Sequence, residues 1–375
     1  MNIILSLLVY IIIVCISVFI VDNRFKMAMI QSEDRTKGSN VARTLWMIVF
    51  VTLLFTLYNV MVTKMNPSFS GDRRIYALNF YGKRTTPSIG LSYVIGLIRR
   101  FSSNVELLFY FSTFVTMLIT LVAYIICRDA TPKALLFLLS TQYVFFTIEC
   151  LKQSYTNALA ALCICLALRS KGKLNTILSC LAIVIAIGFH HTGYILIPIY
   201  ILLRVKKTRK SIPWLFLMMA VIIVFFEPIL SRVASLIMPY ASTFAMKINE
   251  YIGENAREGL RTEGYLASIK GVPFYAITLV GVIKRKQLVQ KIENYDNYLF
   301  LAGILTIIYL ATIYNAWVYR LSYFFYLPMG VFYTHLSNNI EEPKNKVCFN
   351  IVTIGLAALL TMRFVVLMYW NYGGF

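Results

Sequence analysis

Long apolar runs alternate along this chain with short, charged ones. The apolar stretches fall at about 3–21, 44–63, 104–127, 134–148, 153–168, 174–189, 192–203, 212–226, 271–283, 298–313, 319–335 and 348–369. Each reads as a helix, because backbone in contact with lipid must satisfy its own hydrogen bonds. Several fall short of the ~20 residues that a spanning helix usually takes, so the expectation is about twelve spans. The first run, MNIILSLLVYIIIVCISVFIVDNRFK, has no basic residue ahead of it and is too long for the core of a secretory signal. Arg24 and Lys26 follow it, which sets the N-terminus outside.

Charge tests that layout. Alternation from an external N-terminus places 24–43, RSKGK (169–173), RVKKTRK (204–210), KRKQLVQK (284–291) and EEPKNK (341–346) inside. With Arg128 and Lys133 these short loops hold 21 of the 36 basic residues. Such an excess is what the positive-inside rule requires. Two longer segments, about 64–103 and 227–270, then lie outside. Both are too polar to span, and both are expected to carry helices lying in the membrane interface. The architecture expected is an all-α polytopic membrane protein, one membrane domain over residues 1–375. No repeat of hydropathy or motif is visible, which weighs against a secondary transporter.

Composition excludes an ordinary soluble domain: 59% of residues are hydrophobic, only 14% are charged, and mean hydropathy is +0.71. The formal net charge of +20 exceeds what cytoplasmic loops alone explain, and leaves cations for anionic ligands on the outer side. Nothing calls for nucleic acid. The seven cysteines sit in or beside apolar runs without a C-x-x-C pair, and read as small packing residues rather than a metal site or disulfide framework.

Four stretches on the outer side put ionisable groups beside spans. In FSGDRRIYALNF, Gly71 permits a turn, Asp72 offers a carboxylate, and Arg73 and Arg74 offer fixed cations. The plainer alternative is a solvated turn with a local ion pair. In TIECLKQSYTNALA, Glu149, Lys152 and Gln153 fall within one helical turn, so Glu149 and Lys152 can pair at i,i+3. In GFHHTGYILIP, His190 and His191 are adjacent; neighbours in a helix diverge, so they make a poor metal site, but either could contact substrate or act as a base. In YNAWVYRLSYFFYLP, Arg320 lies inside an aromatic run. A guanidinium at membrane depth needs an anion, and its fork matches phosphate or carboxylate. Trp317, Tyr319 and Tyr323 around it are suited to stack on sugar rings, while Glu149 or Glu227 could pair with Arg320 in a purely structural role. Arg232 adds a further cation in the second outer segment.

Several machines lack their signatures here. There is no P-loop, no G-x-G-x-x-G after a strand, no H-E-x-x-H and no G-x-S-x-G. A D-x-D pair for a metal-bound nucleotide sugar is missing too, so no metal or cofactor is expected.

The order GDRRIY, then ECLKQSYTNALA, then GFHHTGYILIP, then WVYRLSYFFYLP resembles the Wzy/EpsG-type polysaccharide polymerases, over roughly 45–335. Two positions depart from the family pattern: Lys152 stands where an arginine is usual, and Glu149 where a neutral residue is. The resemblance implies an O-antigen or exopolysaccharide polymerase of the bacterial inner membrane, with its active site on the outer face. It would transfer a glycan from undecaprenyl pyrophosphate to the non-reducing end of a lipid-linked repeat unit, with a flippase and a chain-length regulator as candidate partners. Asp72, Glu149 and His190 are the candidate bases, with Asp72 favoured. Arg320, Arg73, Arg74, Lys152, Gln153 and Arg232 would hold the substrates, and Trp317 and Tyr323 would line a sugar path. A single displacement with one base implies inversion. An O-antigen ligase, a flippase or exporter of lipid-linked sugars, and an assembly subunit without activity are the competing classes.

Overall fold

The structure is a computed structural model that describes residues 3–30, 37–65, 71–85, 88–127, 131–141, 143–144, 148, 150–169, 172–204, 231–233, 235–236, 238–239, 268–312 and 316–363. Every regular element among them is helical, and no strand occurs among the described residues. In chain order the helices are α1 (Ile3–Ile30), α2 (Lys37–Met65), α3 (Gly71–Phe80), α4 (Ile89–Phe101), α5 (Glu106–Ile126) and α6 (Pro132–Ser140). They continue with α7 (Leu151–Arg169), α8 (Lys173–Phe189), α9 (Leu196–Arg204), α10 (Val272–Leu288), α11 (Tyr295–Ala311), α12 (Tyr326–Asn338) and α13 (Pro343–Arg363). Short 3₁₀ helices at His191–Ile195 and Ala316–Phe324 precede α9 and α12, and a π turn at Ile351–Gly355 lies within α13.

Among the described residues, four helices are long and apolar enough to cross a membrane: Thr44–Lys64 within α2, α5, α7 and α13. Three shorter apolar helices accompany them, at Ser6–Asp22 within α1, α8 and α11. Of the roughly twelve expected spans, some differ from a single α-helix over the expected bounds. The stretch 134–148 is not one helix: α6 stops at Ser140, where Thr141 turns extended and its hydroxyl bonds back to the Leu138 carbonyl. The stretches 192–203 and 319–335 each begin with 3₁₀ backbone and only then become α-helix. Hydropathy counts apolar side chains and cannot register such breaks. The stretch 212–226, and the second long outer segment apart from a few residues, lie outside the described residues.

The chain divides into two compact units. The first comprises Met1–Arg204 with Tyr326–Thr334 and Ala358–Phe375. Its centre is α7, the least hydropathic of the four candidate spans, with a mean of 1.2 against 2.2 for Thr44–Lys64. It is nevertheless the most enclosed by protein. Small residues explain this: Ser154, Ala158, Ala160 and Ala161 are buried and let the neighbouring backbones approach. Tyr155 Oη donates to Ser112 Oγ of α5 at 3.3 Å, and Thr156 Oγ1 donates to the Ala186 carbonyl of α8 at 3.2 Å. Toward the far end of α7, the buried thiols of Cys127 and Cys165 meet with 2.7 Å between sulfurs. On the other side, Asn59 of α2 reaches into α5, donating to Thr113 Oγ1 at 2.7 Å and to the Phe109 carbonyl at 3.0 Å. Helix α1 joins through Tyr10, which packs on Tyr58 and donates to the Leu139 carbonyl at 2.6 Å.

Within residues 64–103 the structure forms the short helices α3 and α4. Ser88 caps α4 by accepting from the Leu91 amide, and Leu91, Ile95 and Ile98 bury one stripe at helical spacing. The opposite face is also apolar, with Ile89, Tyr93, Leu97 and Phe101 exposed, and Arg99 and Arg100 close the last turn. A helix apolar on both faces with a cationic end suits the membrane interface. It is fastened to α8 twice. Ser88 Oγ donates to the Phe189 carbonyl at 2.7 Å, and Gly90 lies so close to the Phe189 ring that a Cβ would meet it at 2.9 Å.

The second unit, Val205–Phe325 with His335–Ala357, is built on the α10–α11 hairpin. Asn294 adopts φ 61° to close the turn, and Arg285 bonds Asp296 across it through two nitrogens, at 2.8 and 3.1 Å. That pairing holds the guanidinium even more firmly protonated than usual. Further along, Thr278 and Thr306 bond at 2.8 Å, and Phe274 stacks on Tyr309.

Candidate functional site at one end of the first unit

The ends of α2, α5, α7 and α8 that carry Lys64, Glu106, Leu151 and Phe189 lie together, linked by contacts between side chains. Lys64 Nζ bonds Glu106 Oε2 at 2.8 Å, and Tyr110 Oη donates to the same oxygen at 3.0 Å. Helix α3 follows α2 across this end, with Asp72 in its first turn, where an acidic residue complements the helix dipole.

Asp72 is half-buried and accepts a hydrogen bond from the Cys150 thiol, Sγ to Oδ2 at 3.2 Å. Cys150 stands at the head of α7, where its carbonyl accepts from the Ser154 amide. One contact therefore joins the GDRR stretch to the ECLKQ stretch. The same contact gives one of the cysteines a polar role that their apolar surroundings did not suggest.

The two arginines beside Asp72 part company. Arg73 is only 2% exposed. Its Nη2 donates to Thr63 Oγ1, and the guanidinium carbon lies 4.3 Å from the centre of the Phe109 ring. Thr63 in turn donates to Asn59 Oδ1 at 3.1 Å, so a polar ladder runs from Arg73 into the bundle and ties α3 to α2 and α5. Arg74 is exposed and can meet a ligand. Successive residues at the start of a helix point in different directions, which is why one anchors and the other faces outward.

On α7, Gln153 and Asn157 share a face at i,i+4, and Gln153 Nε2 donates to Asn157 Oδ1 at 3.3 Å. The same nitrogen donates to Thr192 Oγ1 at 3.3 Å. Thr192 bonds His190 Nδ1 at 2.8 Å, and the His190 ring stacks on exposed His191 with centroids 4.2 Å apart. Helix α8 ends at Phe189 because His190 adopts extended backbone, φ −153°. The ring of Phe189 stacks flat on Tyr155 at 4.1 Å and steadies that corner. Lys152 is half-buried in the first turn of α7. Three of the four sequence stretches thus meet: Asp72 through Cys150, and Gln153 through Thr192 with His190. Glu149 lies outside the described residues.

The fourth stretch belongs to the second unit. Arg320 is half-buried in the 3₁₀ helix Ala316–Phe324. Tyr323 is fully buried with its ring 6.1 Å from that of Tyr319, and Ser322 Oγ donates to Tyr309 Oη at 3.1 Å. Lys270 Nζ lies 5.2 Å from the centre of the Tyr319 ring, adding a second cation beside this stretch. The neighbouring Gly271 packs closely on Tyr309, since a Cβ there would sit 2.6 Å from Tyr309 Cβ. The Trp317 side chain lies outside the described residues, and Arg232 is exposed. Sequence reasoning passed over Cys150, Thr192 and Lys270 as site residues. The signal for Thr192 was its place in F-H-H-T-G; for Lys270 there was none beyond charge.

A bundle of apolar helices that gathers carboxylate, imidazole, amide and cationic groups at one end is a membrane protein equipped for polar chemistry. Residues 45–373 match the family model described as the EpsG family, and the chain belongs to that family. The family carries a role of the polysaccharide-polymerase kind, glycosyl transfer in general terms. No curated protein and no solved structure matches the chain.

Proposed function

We propose that the protein is an O-antigen or exopolysaccharide polymerase of the bacterial cytoplasmic membrane, working at the outer face. It takes a growing glycan from undecaprenyl pyrophosphate and adds it to the non-reducing end of a lipid-linked repeat unit. The observation that carries this reading is the Asp72–Cys150 contact. It brings a partly accessible carboxylate to the head of the innermost helix, within the same helix end as Gln153, Thr192 and His190.

In this reaction Asp72 removes the proton of the acceptor hydroxyl. The acceptor oxygen bonds to the anomeric carbon as the bond from that carbon to the diphosphate oxygen breaks, and the electron pair leaves with the diphosphate. One displacement inverts the anomeric centre. A positioned base contributes about 10²–10⁴-fold. The departing diphosphate needs charge stabilisation more than a proton, and Arg74 and Lys152 supply it without a metal; Arg320, in the second unit, is a separate candidate for holding a diphosphate. Removing one such donor typically costs about 10²–10³ in kcat. Arg73, held by Thr63 and Phe109, positions α3 and leaves substrate to its neighbour.

The test is purified protein given lipid-linked repeat units, with chelator and without ATP. A ladder of lengthening glycans with release of lipid diphosphate is expected, and Asp72→Asn should abolish it. Transfer of glycan to a lipid A acceptor without a ladder would instead indicate a ligase. Flipping of intact substrate with no bond made would indicate a transporter.

A further inference from the structure

The base could be Asp72, Glu149 or His190 on residue type alone, and the hydrogen bonds around His190 bear on the last of them. The Thr192 backbone amide points at His190 Nδ1 at 3.3 Å, so that the imidazole caps the 3₁₀ helix His191–Ile195. A backbone N–H can only donate, so this contact needs a lone pair on Nδ1. The Thr192 hydroxyl is compatible with this. Its oxygen accepts from Gln153 Nε2, and its own hydrogen is available for the 2.8 Å contact to Nδ1. Gln153 is itself oriented by Asn157, which accepts from the same nitrogen. A lone pair on Nδ1 leaves the ring proton on Nε2 in the neutral ring.

We infer that His190 serves this site as a hydrogen-bond donor, presenting Nε2–H to an oxygen of the bound substrate, with Thr192 and Gln153 as positioning residues that fix its tautomer. Protonating Nδ1 would set N–H against N–H at Thr192 and uncap the turn, so His190 is not the proton acceptor. The role of base falls to a carboxylate, Asp72 in the reading above. The substrate oxygen belongs to the diphosphate or to a sugar hydroxyl, both lone-pair acceptors. This assignment rests on the polymerase reading for the identity of the substrate; the tautomer does not.

The experiment uses the full chain in lipid nanodiscs with nitrogen-15 in the histidine rings. There are only three histidines, so substitutions at His191 and His335 identify the His190 signals. The expected result is a protonated Nε2 and a bare Nδ1; a proton found on Nδ1 overturns the proposal. Adding inorganic diphosphate should shift the Nε2 signal if diphosphate is the acceptor, whereas a shift only with lipid-linked repeat unit assigns a sugar oxygen. No shift with either overturns the donor role. Two variants give an independent reading. Asparagine replaces the Nδ1 acceptor and keeps the cap, while glutamine places an N–H donor near the Nε2 position and loses the cap. His190→Asn should melt like the parent yet lose about 100-fold in kcat, the cost of one lost donor. His190→Gln should stay within about tenfold of the parent, since a neutral amide restores such a donor. The opposite order sinks the donor role. A protein with the expected tautomer that makes no polymer would refute the polymerase reading alone.

Discussion

The thiol of Cys150 donates to Oδ2 of Asp72 across 3.2 Å, linking two residues 78 positions apart in the chain. One lies in the first turn of a short helix laid across the end of the bundle, the other at the head of its innermost helix. The contact orients the carboxylate that the proposed function takes as its base.

Replacing the donor tests this. Hydrogen bonds to charged groups contribute about 1.5–3 kcal/mol, and a thiol is a weak donor, so the lower end applies. Cys150→Val should lower kcat about tenfold with little change in KM, and Cys150→Ser should restore it. Equal kcat in the valine variant and the parent would remove Cys150 from the site.

The adjacent arginines should fail in different assays. Arg73→Met loses the bond to Thr63 and the contact with Phe109, and should destabilise the protein by about 2 kcal/mol. Arg74→Ala should change stability by less than about 0.5 kcal/mol, because its side chain is exposed, and should weaken turnover on the lipid-linked substrate. Thermal melts in detergent beside the polymer assay decide it, and a stable but inactive Arg73→Met protein would reverse the two roles.

Two glycines of α4 should respond oppositely. A side chain at Gly90 runs into the Phe189 ring, so Gly90→Val should cost about 1–3 kcal/mol through overpacking. Gly96 has nothing within 4 Å of a built Cβ, so Gly96→Ala should stabilise the helix by about 0.5–1 kcal/mol. Similar melting shifts in both variants would mean that α4 does not dock on α8 as described.

Arg320 and Lys270 flank Tyr319 in the second unit. Under the proposed function Arg320→Lys keeps the charge but loses the planar fork, and should lower kcat about 10²-fold. Lys270→Ala should raise KM more than it lowers kcat, as expected of a group that only attracts the anion. A polymerase assay over a range of substrate concentrations separates these effects. An Arg320→Lys variant with unchanged kcat would discard the diphosphate clamp.

The sequence by itself determined a helical membrane protein, its family, and the stretches where polar chemistry gathers. Runs of Leu, Ile, Val and Phe have no soluble alternative, and an Asp or His beside such a run is costly enough to stand out. The stretch SIGLSYVIGLIRRF also reads as amphipathic, and Leu91, Ile95 and Ile98 bury one stripe of the helix it forms. Only the tertiary structure decided what each polar group does. Arg73 and Arg74 are the same residue type one position apart, and only packing against Thr63 and Phe109 makes the first an anchor. Cys150 gained a partner through a contact over 78 residues, and His190 its contacts with Thr192, itself bonded to Gln153. Breaks such as that at Thr141 also escaped hydropathy. Apolar periodicity is written locally in the chain, whereas the partners of a buried polar atom are fixed only when distant helices meet.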